Sequence, residues 1–148
     1  MSKEQEKSAI KWGKIFKFFI IIVAALIIGM VVFFAFKIHI DAKAALRDAK
    51  NIRLALRTAD IEMYAKDKTV YNPSAADGIE VGVKAKVEQI VQSEGRYRIT
   101  NYSYRTHEVT GMIYERGDYR VTFIKDGDNI YWDVDYIFNV YHFDGAEE

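Results

Sequence analysis

The chain has 148 residues, 21 Lys/Arg against 21 Asp/Glu, and no cysteine. That excludes a disulfide framework, a thiolate metal site and a cysteine nucleophile. Ten Tyr and nine Phe with a single Pro argue against disorder.

The first 17 residues carry Lys3, Lys7, Lys11, Lys14 and Lys17 against Glu4 and Glu6. An unbroken run of 19 uncharged, mostly β-branched or aromatic residues follows, Phe18–Phe36. As a helix it is about 28 Å long, close to the ~30 Å hydrocarbon core of a bilayer. Lys37, Ile38, His39 and Ile40 come next and offer no small-x-small cleavage site, so the run reads as a retained signal anchor. The positive-inside rule is nearly balanced here, because Lys37, Lys43, Arg47, Lys50 and Arg53 match the five cations before the run. First helices usually set orientation, which favours a cytoplasmic N-terminus and an extracytoplasmic domain. Trp12, Phe16, Phe18 and Phe19 would sit at the inner interface. Residues 38–148 have a net charge of −4, and from Asp126 onward there are seven acids and no Lys or Arg. That distribution suits a membrane protein with a basic inner tail and disfavours a nucleic-acid partner.

From Asp41 to about Asp67 the pattern is helical. Ala45, Ala49, Ile52, Leu56, Ala59 and Met63 form one stripe, Leu46, Leu54 and Ile61 widen it, and Lys43, Arg47, Lys50 and Arg57 line another side. Glu62 and Lys66 make an i, i+4 pair. Nothing between Phe36 and Asp41 breaks a helix, so anchor and stalk are expected as one rod of about 50 residues, roughly 75 Å long. Tyr71-Asn72-Pro73-Ser74 stops it. Ile79–Glu94 has helical spacing, with Gly95 as its stop. Beyond Gly95 the period becomes two, which predicts strands over Arg96–Tyr104, Val109–Glu115, Tyr119–Lys125 and Ile130–Tyr136. The short turns Arg116-Gly117-Asp118 and Asp126-Gly127-Asp128-Asn129 favour antiparallel neighbours. In the last strand Ile130, Trp132, Val134 and Tyr136 alternate with polar positions, as a half-buried strand requires. Ile137, Phe138, Val140, Tyr141 and Phe143 suggest one more edge strand. The predicted fold class is therefore α+β, a long N-terminal transmembrane-plus-amphipathic helix packed on a C-terminal antiparallel sheet. The predicted segments are a basic tail (1–17), a transmembrane helix (18–37), a helical stalk (38–70) and a small α+β head (71–148).

This order of elements resembles type IV pilins and the pseudopilins of type II secretion systems. The resemblance lies in Ala49-Lys50-Asn51-Ile52-Arg53-Leu54-Ala55-Leu56, then Met63-Tyr64-Ala65-Lys66-Asp67, then Val70-Tyr71 and Pro73. It is similar to that family's helix end, where an Ala-rich stretch leads to Tyr-x-x-Asp and Tyr-Pro. The processing motif departs from the family. With Gly13 before the cut, Lys14 becomes the first mature residue and Phe18 stands where the family has glutamate; no acid occurs between Glu6 and Asp41. The resemblance implies a divergent or minor structural subunit that assembles by helix packing, with other pilin-like subunits and membrane lipid as partners.

The expected helix-packing interface comprises Ala24, Ala25 and Gly29 in the apolar run, and Ala45, Ala49, Ile52 and Leu56 in the stalk. Ala25 and Gly29 form a small-xxx-small pair that admits close helix approach. Ala45 and Ala49 are expected farthest from the sheet, although the stripe could equally be the surface on which its own sheet packs. The basic face reads as solvated. Asp126, Asp128, Asp133 and Asp135 raise a calcium reading, but they lack EF-hand spacing, and a turn with a wet strand face is preferred. His39, His107 and His142 are scattered, and no nucleophile elbow or phosphate-cradling glycine loop appears. No enzyme activity, cofactor, metal or small-molecule substrate is expected. The expectation is a single-pass structural subunit; the alternative is a tethered module that binds a partner through its sheet.

Overall fold

The computed structural model describes residues 3–137, with side chains from Phe16 onward. The protein is α+β: a long N-terminal helix, α1 (Lys3–Tyr64), packs on a four-stranded antiparallel sheet. The chain divides into two units, Met1–Ile40 and Asp41–Glu148. The first is helical, and every side chain from Phe16 to Ile40 is exposed. Among the described residues one helix, Phe16–Tyr64, is long and apolar enough to cross a membrane. The second unit begins with the remainder of α1, from Asp41 onward.

A short helix, α2 (Val83–Ile90), precedes four strands: β1 (Arg96–Ser103), β2 (Glu108–Arg116), β3 (Tyr119–Asp126) and β4 (Asn129–Tyr136). They pair in chain order as a meander. Each lies within a residue of its predicted bounds, because strict alternation reports which side chains face a core. Two-residue turns place Gly117 and Gly127 at φ 55° and 57°, a conformation that costs glycine little. The further edge strand expected from Phe138, Val140, Tyr141 and Phe143 lies outside the described residues.

The core lies between α1 and the sheet. The predicted stripe, Ala45, Ala49, Ile52, Leu56, Ala59 and Met63, is buried beneath Tyr97, Ile99, Met112, Tyr114, Val121 and Phe123, and Ala55 joins it. Val83 and Val87 of α2 join the same cluster. Alanines at four of these positions leave room for rings, so Tyr114 and Phe123 are fully buried. Leu54 and Ile61, expected to widen the stripe, are instead exposed, because the sheet covers a narrower arc of the helix than the apolar positions span. Glu62 pairs with Lys86 of α2 through an ion pair, which supersedes the expected Glu62–Lys66 pair as its main contact.

Helix α1 ends at Tyr64, three residues before the expected Asp67. Lys68 N–H donates to the Met63 carbonyl at 3.0 Å and Asp67 N–H to that of Tyr64 at 3.0 Å, while Asp67 sits at φ 53°. This is a Schellman stop with an aspartate in the left-handed position usually held by glycine. The segment Ile79–Glu94 is not one helix. Ile79 pairs with Tyr71 in an isolated bridge, Gly82 at φ 85° starts α2, and Val91 is already extended. Two buried sites in different local structures happened to share helical spacing. Gly95 does not stop a helix either. A Cβ there would lie 2.4 Å from the Tyr114 ring and 2.5 Å from the Glu115 carbonyl oxygen, so glycine is needed for close packing.

Two stability outcomes follow from these contacts. Asp67→Gly removes left-handed strain and a negative charge at a helix C-terminus, and should raise stability by up to about 1 kcal/mol in urea unfolding. Gly95→Ala should lower it by about 1–3 kcal/mol, since backbone as well as a ring must move.

Candidate helix-packing interface

The seven residues predicted for this interface fall into two groups with different fates. Ala24, Ala25 and Gly29 lie in the first unit and are exposed, and a Cβ added at Gly29 would meet nothing within 4 Å. Positions 25 and 29 are one turn apart on the same face, where the absence of bulk lets another helix come close. Large side chains surround this notch, including Phe18, Ile22, Val32 and Phe36, all exposed.

Ala45, Ala49, Ile52 and Leu56 are each 0% exposed. They are buried under the protein's own sheet and present nothing to a neighbour. The expectation that Ala45 and Ala49 lie farthest from the sheet is therefore corrected. Strands of eight or nine residues are about 26–30 Å long, enough to run alongside α1 from Asp41 to Arg57. At one end Asp41 and Ala44 line a cleft with Arg116, Gly117, Asp118 and Tyr119. At the other, Arg57 and Asp60 share a groove with His107, Glu108 and Lys125.

Polar contacts hold the helix in this register. Arg116 at the end of β2 donates to Asp48 at 2.6 Å and to Glu94 at 2.8 Å. The Arg53 guanidinium lies 4.5 Å above the Phe123 ring, and burial pulls its pKa down while Glu108 opposes that shift. Lys50, expected to be merely solvated, stands 5.8 Å from the Trp132 ring. Lys125 donates to Glu108 at 2.5 Å.

Sequence reasoning missed Asp60. It is 2% exposed, accepts the Val70 N–H at 3.2 Å, and receives the Tyr102 hydroxyl 3.0 Å from each of its oxygens. One carboxylate thus ties α1 to the segment after it and to β1. Burial raises the Asp60 pKa, and its two hydrogen-bond donors only partly offset that. Burial, and then the bond to Asp60, push the Tyr102 hydroxyl above its usual range. Tyr71 stacks on Tyr102 with ring centroids 5.7 Å apart, and Tyr104 meets Tyr102 edge-on at 5.1 Å. The available signal was an acid directly beside Ala59 on the apolar stripe.

Among the described residues no three His, Cys, Asp or Glu side chains gather as a metal site. Asp126 and Asp128 belong to the β3–β4 turn, and Asp133 and Asp135 project from β4. His107 sits in the β1–β2 turn with its ring 4.3 Å from that of Tyr64. His142 lies outside the described residues. No protein family, no curated protein and no solved structure matches this chain.

Replacing Asp60 separates its charge from its hydrogen bonds. Asp60→Ala strands the Val70 N–H and the Tyr102 hydroxyl and should cost about 2–4 kcal/mol. Asp60→Asn keeps an acceptor without a buried charge and should cost far less. Because its folded pKa is raised above 3.8, Asp60 favours the fold most below that value and progressively less as pH rises to the folded pKa. Stability against pH, measured by denaturant unfolding, should lose that component in Asp60→Asn.

Proposed function

We propose that this protein is a single-pass, pilin-like structural subunit of a membrane assembly related to type IV pili or type II secretion. Its N-terminus is cytoplasmic and its α+β unit extracytoplasmic. Lateral association occurs in the bilayer, through the face carrying Ala24, Ala25 and Gly29. The observation that supports this most is the contrast between the two parts of α1. The stretch within the second unit has its small residues sealed in a core, whereas the apolar stretch leaves every described side chain uncovered. Lipid accepts such a surface, and small residues on one side of it favour a helical neighbour through close backbone contact. The resemblance of the helix end, Met63-Tyr64-Ala65-Lys66-Asp67 with Tyr71 and Pro73, and the helix-on-meander layout support the family reading. The absent glutamate and the altered cleavage site make it a divergent member that keeps its basic N-terminal segment.

The alternative, a tethered binding module, draws on the exposed apolar residues Ile124 and Tyr131 on the sheet's outer face. The two readings differ in where contact occurs. The chain has no native cysteine, so single cysteines report cleanly. Oxidation in membranes should crosslink Ala25→Cys strongly and Ile27→Cys, on the opposite helix face, weakly. Adding Gly29→Ile should reduce the Ala25→Cys product at least several-fold. Equal crosslinking at both positions, or none at either, would favour the tethered module.

A further inference from the structure

The outer face of the sheet, away from α1, carries a charge pattern that complements itself. Register places Arg96, Glu115, Arg120 and Asp135 side by side across β1 to β4. The row reads plus, minus, plus, minus. The adjacent row on that face is Arg98, Ile113, Thr122 and Asp133, again cationic on β1 and anionic on β4. Arg96, Arg98, Asp133 and Asp135 are all exposed. Glu115 and Arg120, in the middle, pair at 2.8 Å and are about two-fifths exposed. A third row brings together Gly111, Ile124 and Tyr131, with Ile124 49% and Tyr131 58% exposed.

Such an arrangement is matched by its own copy turned about a two-fold axis parallel to the strands. That rotation lays β1 over the partner's β4 and β2 over its β3. Every first-row cation then faces an anion: Arg96 meets Asp135, and Glu115 meets Arg120. In the second row Arg98 meets Asp133, while Ile113 lies over Thr122. In the third, Ile124 lies over the Thr100 and Asn101 side chains, which pack across the buried Gly111. The geometry points to an isologous dimer of this chain, formed by face-to-face packing of the outer sheet surfaces through the two charged rows. The inference goes beyond the helix-packing reading and concerns a separate surface.

Three further observations favour this partner. Among the described residues the sheet's edge strands are blunted against strand addition: Ile99 N–H on β1 is taken by the Asp77 carbonyl at 2.8 Å, and Val134 N–H on β4 by the Asp133 carboxylate at 3.0 Å. Packing through the face avoids both edges. A two-fold along the strands also keeps the two Asp41 ends, each beside its Gly117-Asp118 turn, at one end of the dimer. The area is about 500 Å² per copy, or about 1,000 Å² in total, from four strands about 4.8 Å apart and ~26 Å long. That is the lower end for a specific interface, sufficient where membrane tethering raises the effective concentration.

Charge reversal tests the dimer on the full chain in proteoliposomes, read by energy transfer between labelled copies. Arg96→Asp with Arg98→Asp makes both ends of the face acidic, and Asp133→Arg with Asp135→Arg makes both basic. Each variant alone should self-associate about tenfold or more weakly. An equimolar mixture of the two should recover association, as should one chain carrying all four changes; that recovery also shows that the variants fold. Full association of either variant alone, or no recovery on mixing, overturns the dimer. Recovery as a ladder of larger species would instead indicate a head-to-tail contact and overturn it as well. Gly29→Ile separates this result from the helix-packing proposal. If it abolishes transfer while charge reversal leaves transfer unchanged, the sheet dimer fails and helix packing stands. The opposite pattern rejects helix packing and supports the sheet dimer.

Discussion

The second unit depends on the contact between the alanine-rich face of α1 and the inner face of the meander. Ala45, Ala49, Ala55 and Ala59 bring the helix close enough for Tyr114 and Phe123 to be completely enclosed. Ile52 and Leu56 are fully buried in the same cluster. A larger residue at any alanine would force the helix away and open voids along its length, since interiors are packed as densely as organic crystals. The contact also needs a register, and polar groups near its two ends supply it. Arg116 bridges Asp48 and Glu94 at one end, and Asp60 gathers Val70 and Tyr102 at the other.

This core limits what the molecule can offer a partner. A helix stripe sealed beneath its own sheet cannot pack against a neighbour, so associating surfaces must be sought where side chains remain exposed. Two such surfaces stand out: the small-residue face around Ala25 and Gly29, and the outer sheet face with its alternating charges. The ionisable groups that are drawn inward are occupied by structure. Asp60 binds two donors, Glu108 accepts from Lys125, and Arg53 lies on a ring. These contacts pin elements of the second unit together.

The strands were legible because alternation in a half-buried sheet is imposed residue by residue. Tyr97, Ile99, Val121 and Phe123 face inward, and Arg96, Arg98, Thr122 and Ile124 face outward. The core face of α1 was legible for the same reason at a period of 3.6. The stretch from Ile79 to Glu94 was misread because Ile79 and Val83 are both buried yet belong to a bridge and a helix separated by Gly82. Ending α1 at Asp67 rather than Tyr64 was a similar error, since an aspartate in a left-handed stop leaves no glycine signal. Asp60 was overlooked because an acid beside an apolar stripe looks solvated until Val70 and Tyr102 close over it.

What the sequence by itself determined is the class of the fold: one long helix with an apolar run, followed by an antiparallel meander. Both are properties of local periodicity and length. Tertiary structure alone decided which stripe would be consumed within the molecule. Ala25 with Gly29 and Ala45 with Ala49 show the same four-residue spacing, and nothing local distinguishes them. Only the length of the strands, and the point where the β2–β3 turn meets Asp41, leaves one pair uncovered and encloses the other.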